Sequence, residues 1–66
     1  MQMISVSSSA INSVGYDPNT QQMNIEFKQG STYTFCGVPE FIFNGLLHAA
    51  SKGVYYDQHI RDKYQC

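Results

Sequence analysis

The sequence has little charge, and the charge that it has is nearly balanced. Its 66 residues include 4 basic and 5 acidic side chains, which give a formal net charge of −1. A domain without an excess of positive charge does not attract polyanions over its whole surface by counterion release. The composition therefore argues against general nucleic-acid binding, and any contact with nucleic acid has to be local.

Long apolar runs are also missing. The segment from Met1 to Val6 contains no basic side chain and no extended apolar run, so it does not resemble a signal peptide. No stretch of the sequence is long and apolar enough to cross a bilayer. We expect a cytoplasmic protein that makes no use of a membrane.

Cysteine is scarce. Cys36 and Cys66 lie far apart in the sequence, without the spacings of a disulfide framework. Reducing compartments rarely keep disulfides, so both thiols are expected to be free. His48 and His59 add possible metal ligands, but no C-x-x-C or H-x-x-x-H spacing joins the four side chains. We expect no metal site and no cofactor.

What is present is enough for a single small domain. An apolar fraction of 42% in 66 residues lies near the lower limit at which a core holds a fold without cross-links. The charged fraction of 14% leaves little polar surface. Both observations favour association with copies of the same chain, and we expect a homo-oligomer.

Three segments alternate between apolar and polar residues, as half-buried strands do. Turn-forming residues bound them, with Asp17-Pro18-Asn19-Thr20 after the first segment and Gly30 after the second. The predicted strands are residues 10–16, 22–28 and 31–36, and they form an antiparallel meander.

The turn at Gly30 decides which residues of the last two strands face each other. A two-residue loop would place Tyr33 and Phe35 on a polar face. A three-residue loop pairs Ile25 with Tyr33 and Met23 with Phe35, and it gives Gly30 the positive φ that glycine tolerates. We favour this second register, in which both aromatic side chains belong mainly to the core.

A helix is predicted after the strands, from Pro39 to Ala50. Proline suits the first helical position, because its missing N–H would be unbonded there. Apolar residues follow at i, i+3, i+4 and i+7, which gives a broad stripe to cover the sheet. Gly53 is the predicted stop.

A second, short helix is predicted near the end of the chain. Asp57 can cap it, and the helix then runs through Tyr64, with Asp57 able to pair with Arg61 at i+4. A helix of this length needs tertiary contacts to persist. The predicted fold is α+β, a small three-stranded antiparallel β-meander followed by one amphipathic helix and a short C-terminal helix.

Several short motifs follow one another in an order that resembles a known family. They include Gly15-Tyr16-Asp17, Tyr33-Thr34-Phe35, Val38-Pro39, Ser51-Lys52-Gly53 and Ile60-Arg61. Together they resemble the KTSC domain, a module at the C-terminus of some lysyl-tRNA synthetases and a free-standing small protein in bacteria and phages. The resemblance covers about residues 8–64 of a single domain, residues 1–66. The family's central Tyr-x-Tyr has Phe35 as its third residue here, so the second phenol hydroxyl is absent.

The resemblance implies a binding module and names no reaction. Its synthetase context suggests RNA binding. Small phage proteins of this size sometimes act as oligomeric sponges for nucleotide immune signals, and this analogy favours a compact nucleotide ligand. The serines, His48, His59 and Asp57 are not joined by any catalytic signature, so capping and turn formation account for them. We expect no enzymatic activity.

Basic and aromatic side chains concentrate in the last third of the sequence. The fork of an arginine matches phosphate oxygens, and tyrosine rings can stack on a base. A compact nucleotide-like anion is the favoured ligand, with an RNA-binding accessory domain and a protein-interaction module as alternatives. A further alternative leaves Arg61 paired only with Asp57 and the tyrosines as core. The predicted ligand-binding residues are Arg61, Tyr55, Tyr56, Ser51, Ser8, Ser9 and Tyr64.

Overall fold

One antiparallel sheet and two helices make up the computed structural model, which describes residues 1–66. The sheet has four strands in the order β1-β2-β3-β4, one more than predicted. No helix is long and apolar enough to cross a membrane. The α+β class is confirmed. The elements are β1 (Met3–Ser5), β2 (Ile11–Asp17), β3 (Gln22–Phe27), β4 (Thr32–Phe35), α1 (Glu40–His48) and α2 (Lys52–His59).

Strand β1 is the element that the sequence did not indicate. It pairs with β2 in an antiparallel register that places Ile4 opposite Val14. All three of its residues are exposed. Three residues are too few to display an alternation, so the pairing with β2 defines this strand and the prediction of three strands was wrong.

The ladder between β3 and β4 confirms the predicted three-residue turn. Ile25 lies opposite Tyr33 and Met23 opposite Phe35, and Gly30 has a φ of 109°. The prediction for the two aromatic side chains was half right. Phe35 is 7% exposed, whereas Tyr33 is 48% exposed. No further strand covers the outer side of β4, and the chain end returns to the strand next to Phe35, where the Cys36 N–H donates to the Tyr64 carbonyl.

Helix α1 forms within the predicted segment from Pro39 to Ala50, but it ends two residues earlier, at His48. Pro39 occupies the N-cap position, and the buried residues Ile42, Phe43 and Leu46 follow the predicted apolar stripe. The Phe43 ring stacks on Tyr16 of β2, with 5.0 Å between the ring centroids. This contact holds α1 against the sheet at the end of β2.

Helix α2 begins and ends earlier than predicted, since it spans Lys52–His59 and does not reach Tyr64. Ser51 is its N-cap and accepts a hydrogen bond from the Val54 N–H at 3.4 Å. Gly53 was expected to end the first helix but lies inside α2, where an added Cβ would meet the Ala10 Cβ at 3.4 Å. An alanine at this position would therefore also fit against the start of β2. Asp57 lies within α2 and does not cap it.

The core lies between the two helices and one face of the sheet. Within it the Tyr16 hydroxyl donates to the Val38 carbonyl at 2.5 Å. Burial, with a smaller contribution from Glu40, raises the pKa of Tyr16. The ten buried apolar residues are Ile11, Val14, Met23, Ile25, Phe35, Val38, Ile42, Phe43, Leu46 and Ile60.

The opposite face of the sheet is polar apart from Met3, which packs over Gly15. Glu26 Oε1 accepts hydrogen bonds from Ser13 at 2.9 Å and Asn12 at 3.1 Å. The Thr34 hydroxyl donates to Asn24 Oδ1 at 2.9 Å. Since side chains alternate between the two faces of a strand, the aromatic residues of β3 and β4 all point to the other side. This face therefore offers no rings on which bases could stack.

The two cysteines form a disulfide, which contradicts the expectation that they are free. The Cα atoms of Cys36 and Cys66 are 4.9 Å apart, and the Cys36 N–H donates to the Tyr64 carbonyl at 2.9 Å. The last residues of the chain lie beside β4. The separation of 30 residues between the two cysteines in the sequence gave no indication that they would meet. Because both sulfur atoms are bonded to each other, neither can serve as a metal ligand.

Candidate ligand-binding site

Aromatic rings from β3, β4 and α2 meet at the β4 edge of the sheet. The Tyr56 ring lies 5.1 Å from Phe27 and 5.9 Å from Phe35, measured between centroids, in edge-on arrangements. Tyr33 approaches Phe27 in the same way at 5.5 Å. Edge-to-face pairs at these distances are favourable beyond their buried area. The core thus extends outward at this edge and ends in two partly exposed phenol rings.

Two open concavities share the rings of Tyr33 and Tyr56. The first has a volume of about 460 Å³ and is bounded by Phe27, Gln29, Tyr33, Tyr56 and Arg61. We call it the β4 notch. Its volume falls within the range of small-molecule sites, about 300–1,000 Å³. The second concavity measures about 340 Å³ and reaches along β4 to the disulfide and Asp62.

Arg61 supplies the positive charge of the β4 notch. Its Nη1 lies 3.6 Å from Asp57 Oδ1, so the predicted i+4 pair forms. Its Nε lies 4.0 Å from Asp62 Oδ2. The side chain is 62% exposed, and ion pairs of this length in solvent contribute about 0–1 kcal/mol. A ligand anion can therefore replace either carboxylate at little cost.

The phenol of Tyr56 stays neutral in this environment. Burial raises the pKa of Tyr56, and the charge of Arg61 offsets part of that rise. A neutral phenol can donate a hydrogen bond as well as accept one. The notch therefore combines apolar ring surface, a neutral hydroxyl and one guanidinium.

The structure brings only two of the predicted site residues together, Arg61 and Tyr56. The Ser8 hydroxyl accepts hydrogen bonds from the N–H groups of Ala10 and Ile11 at 3.1 and 3.2 Å. Ser51 caps α2. The hydroxyls of Ser8 and Ser51 thus accept hydrogen bonds from backbone N–H groups. This agrees with the alternative that the serines serve as capping and turn residues.

Three further predicted residues lie outside the β4 notch. The Tyr55 hydroxyl donates to the Ile42 carbonyl at 3.0 Å, so this ring packs between α2 and α1. Tyr64 is half-buried against the core. Ser9 borders a separate, shallow concavity with Lys28 and the edge of Phe27. Burial raises the pKa of Tyr55, as expected for a packed phenol.

Sequence reasoning missed three residues of the β4 notch, namely Phe27, Gln29 and Tyr33. Tyr33 was assigned to the core because its register partner, Ile25, is a core residue. That assignment neglected the position of its strand. The last strand of a meander is an edge, where a core-facing side chain is covered on one side only. The position of the Tyr33 strand at the end of the predicted meander was therefore the signal that could have identified this side chain as exposed.

Comparison with known proteins assigns the chain to a family. The model of the KTSC domain matches residues 7–64, which agrees with the resemblance found in the sequence. The crystal structure of a KTSC domain protein from Yersinia pestis superimposes with a TM-score of 0.94 and 42% identity, covering 98% of this chain and 92% of that one. The chain belongs to the KTSC domain family.

Relatives of this KTSC domain occur both alone and within larger proteins. An uncharacterized protein of Stutzerimonas stutzeri is 36% identical over 58 residues, which are 88% of this chain and 82% of that protein. A lysine–tRNA ligase of Nostoc punctiforme is 35% identical over 57 residues. Those residues are 86% of this chain but 10% of the ligase. The match therefore concerns one domain of that enzyme.

Proposed function

We propose that this KTSC domain is a non-enzymatic binding module that takes a compact, nucleotide-like anion in the β4 notch. The base stacks on the exposed faces of Tyr33 and Tyr56, and a phosphate pairs with Arg61. The observation that carries this proposal is the position of the guanidinium, which borders the same concavity as both phenol rings.

The chemistry of the notch favours a small ligand with one aromatic part and one anionic part. Base–aromatic stacking contributes about 1–3 kcal/mol per base, and an arginine pairs with a phosphate through two parallel N–H···O bonds. Gln29 adds an amide at the rim, which can read the polar edge of a base. A nucleotide-sequestering role, as in the phage sponges, belongs to this same proposal.

RNA binding is the second candidate, and the lysine–tRNA ligase relatives are the observation that favours it. Two features count against a long RNA. The net charge is −1, and the open sheet face carries hydroxyl, amide and carboxylate groups where RNA-binding sheets present aromatic rings. We therefore place the compact ligand first.

Isothermal titration calorimetry against a panel of probes tests the proposal. The probes are adenosine and guanosine monophosphates, linear and cyclic dinucleotides, and a single-stranded RNA of about ten nucleotides. We expect saturable binding of a mononucleotide or dinucleotide at fixed stoichiometry, without turnover. Tighter binding of the RNA, with a steep loss of affinity as salt rises, would favour the second candidate. Absence of binding by every probe would contradict both.

Two variants with the same change in net charge separate the site from general electrostatics. Arg61→Gln removes charge-assisted hydrogen bonds of about 1.5–3 kcal/mol, so the affinity for the bound probe should fall about tenfold or more. Lys63→Gln removes an equal charge in the turn after α2, outside the notch lining. Its affinity should stay within about twofold of the wild type. Equal losses in both variants would refute the assignment.

Asp57→Asn asks whether Arg61 serves the ligand or its helix neighbour. The pair that it breaks is 3.6 Å long and exposed, so stability should change by less than about 0.5 kcal/mol. The Asp57 carboxylate then no longer competes with the ligand phosphate for the Arg61 guanidinium, so the affinity for the nucleotide probe should rise a few-fold. Circular dichroism melting and calorimetry measure the two effects. An unchanged or lower affinity would show that Asp57 does not compete with the ligand.

A further inference from the structure

Strand β1 forms the second edge of the sheet, and its outer side has no partner. Edge strands of natural proteins avoid pairing with another chain by being very short or by carrying lysine, proline or a bulge. β1 is short, with three residues, but residues 1–6 contain no charged side chain and no proline, and its register with β2 has no bulge. Met3 and Ile4 are 38% and 46% exposed. This edge is therefore open to another strand.

The hydrogen bonds of β1 show which backbone groups are free. The Val6 N–H donates to the Asn12 carbonyl at 3.1 Å, so Val6 faces β2. Backbone groups point to alternate sides along a strand. Ile4 therefore also faces β2, while the N–H and C=O groups of Met3 and Ser5 point outward. The outward groups are arranged symmetrically about Ile4.

We propose that the β1 edge is a self-association surface, on which a second copy of this chain pairs its own β1 in antiparallel orientation about Ile4. Met3 of each copy then lies opposite Ser5 of the other, and each pair exchanges both N–H···O bonds. The outward N–H and C=O groups of Met3 and Ser5 in one copy then all have hydrogen-bond partners in the other copy. Two four-stranded sheets become one sheet of eight strands with two-fold symmetry.

The side chains suit this arrangement. In the proposed pairing Ile4 faces Ile4 of the second copy as a non-hydrogen-bonded pair, the type in which side chains approach most closely. An exposed apolar residue is thereby covered by an identical one, and no charge is buried. A second copy suits this edge because it brings the same uncharged strand, so that one two-fold pairing covers both exposed Ile4 side chains and pairs the outward groups of Met3 and Ser5 in both copies.

The β4 notch stays accessible in this dimer. It lies at the opposite edge of the sheet, so the two notches would be at the far ends of the eight-stranded sheet. The dimer does not depend on ligand binding, and the two proposals can fail separately. With only three paired residues, the interface is smaller than a standard interface of about 1,200–2,000 Å², so we expect a weak dimer.

Sedimentation equilibrium of wild type and two lysine variants tests the surface. Ile4→Lys sets two like charges opposite each other and should weaken the dimer at least about tenfold. Phe41→Lys changes an apolar residue that is 71% exposed on α1, and its dimer constant should stay within about twofold of the wild type. A wild type that remains monomeric to about 1 mM, or equal losses in both variants, would overturn the proposal.

A cysteine at the two-fold axis provides a second measurement that does not require a charged variant to fold. In a non-hydrogen-bonded antiparallel pair the Cα atoms are about 4.5 Å apart, within reach of a disulfide. Ile4→Cys should therefore form a covalent dimer on mild oxidation much faster than Phe41→Cys, as followed by non-reducing gel electrophoresis. Equal rates for the two variants would refute pairing at Ile4.

Discussion

The two edges of the sheet are treated differently by this small fold. At β4, residues that follow α2 return beside the strand, where a disulfide joins Cys36 to Cys66 and the Tyr64 carbonyl accepts the Cys36 N–H. At β1, three exposed residues end the sheet with nothing beside them. A chain with so little core can cover one edge but not both.

The difference suggests a division of roles. The covered edge is linked to the chain end by the disulfide and carries aromatic rings and a guanidinium, which suits the binding of a ligand at a fixed geometry. The bare edge carries free backbone groups and uncharged side chains, two of them apolar, which suits pairing with a second strand. Each role can be tested by a change that affects one edge and leaves the other intact.

The largest effect is expected from removal of the disulfide. A covalent loop of 30 residues restricts the unfolded chain by about 3–4 kcal/mol, which is a large part of the stability of so small a domain. The double variant Cys36→Ser with Cys66→Ser should lose about this amount in urea unfolding. Hydrogen exchange should increase at β4 before it increases at β1.

The control for this loss is the wild type in reducing buffer, which has the same disulfide removed without a substitution. Both should show the same unfolding midpoint and the same weakening of nucleotide-probe binding. The dimer constant measured where the domain is still folded should not change. If the midpoint is unaffected by reduction, the covered edge does not depend on this covalent link.

A smaller loss is expected from Gly15→Ala, which acts on the β1 edge. An added Cβ at Gly15 would lie 2.7 Å from Met3 Sδ and 2.9 Å from the Gln2 carbonyl oxygen. The sulfur can move, but the carbonyl moves only with the backbone of β1. Overpacking of this kind costs about 1–3 kcal/mol. Urea unfolding should show that loss, and sedimentation should show a weaker dimer.

Gly53→Ala is the matched substitution in α2. Its Cβ would meet Ala10 at an ordinary contact distance of 3.4 Å, and alanine in place of a helical glycine gains about 0.5–1 kcal/mol. This variant should be at least as stable as the wild type and should form the same dimer. If both alanine variants lose stability equally, the close packing of β1 over Gly15 is not the cause of the stability loss in Gly15→Ala.

The sequence predicted the centre of the sheet well, for a local reason. A glycine that must adopt positive φ, together with apolar residues two apart, determined the register of β3 and β4 down to Ile25 opposite Tyr33. Turn geometry and alternation both act over a few residues, so they can be read from the chain. The same holds for α1, where Pro39 and the apolar stripe act locally.

What could not be predicted depends on contacts between distant segments. Strand β1 forms because it can pair with β2, where Val14 lies opposite Ile4. The disulfide forms because the last residues return to β4. The exposure of Tyr33 follows from strand order and not from its own neighbours. For the candidate site, Arg61 and Tyr56 were found from composition, whereas the β3 and β4 residues of the notch required the fold.

The smallest effect concerns the ionisation of Tyr56. It makes the stability of the fold at the β4 edge depend on pH, whereas the pairing at the β1 edge does not. Burial raises the pKa of Tyr56 above its ordinary value of about 10, so the unfolded chain releases this proton first. Stability that is complete below pH of about 10 is then lost as the pH rises towards the folded-state pKa. The β1 strand has no ionisable side chain, so its pairing has no such limit while the domain stays folded.

Tyr56→Phe should therefore flatten the alkaline loss of stability without altering stability at neutral pH by more than about 0.5 kcal/mol, because the Tyr56 hydroxyl makes no hydrogen bond within the domain. Tyr16→Phe is the informative contrast. Its hydroxyl donates to the Val38 carbonyl, so this variant should already lose about 1 kcal/mol at neutral pH. Urea midpoints measured from pH 7 to about pH 11 compare the three proteins. If Tyr56→Phe and the wild type lose stability in parallel above pH of about 10, the phenol at the β4 edge is not the group that limits the fold in alkali.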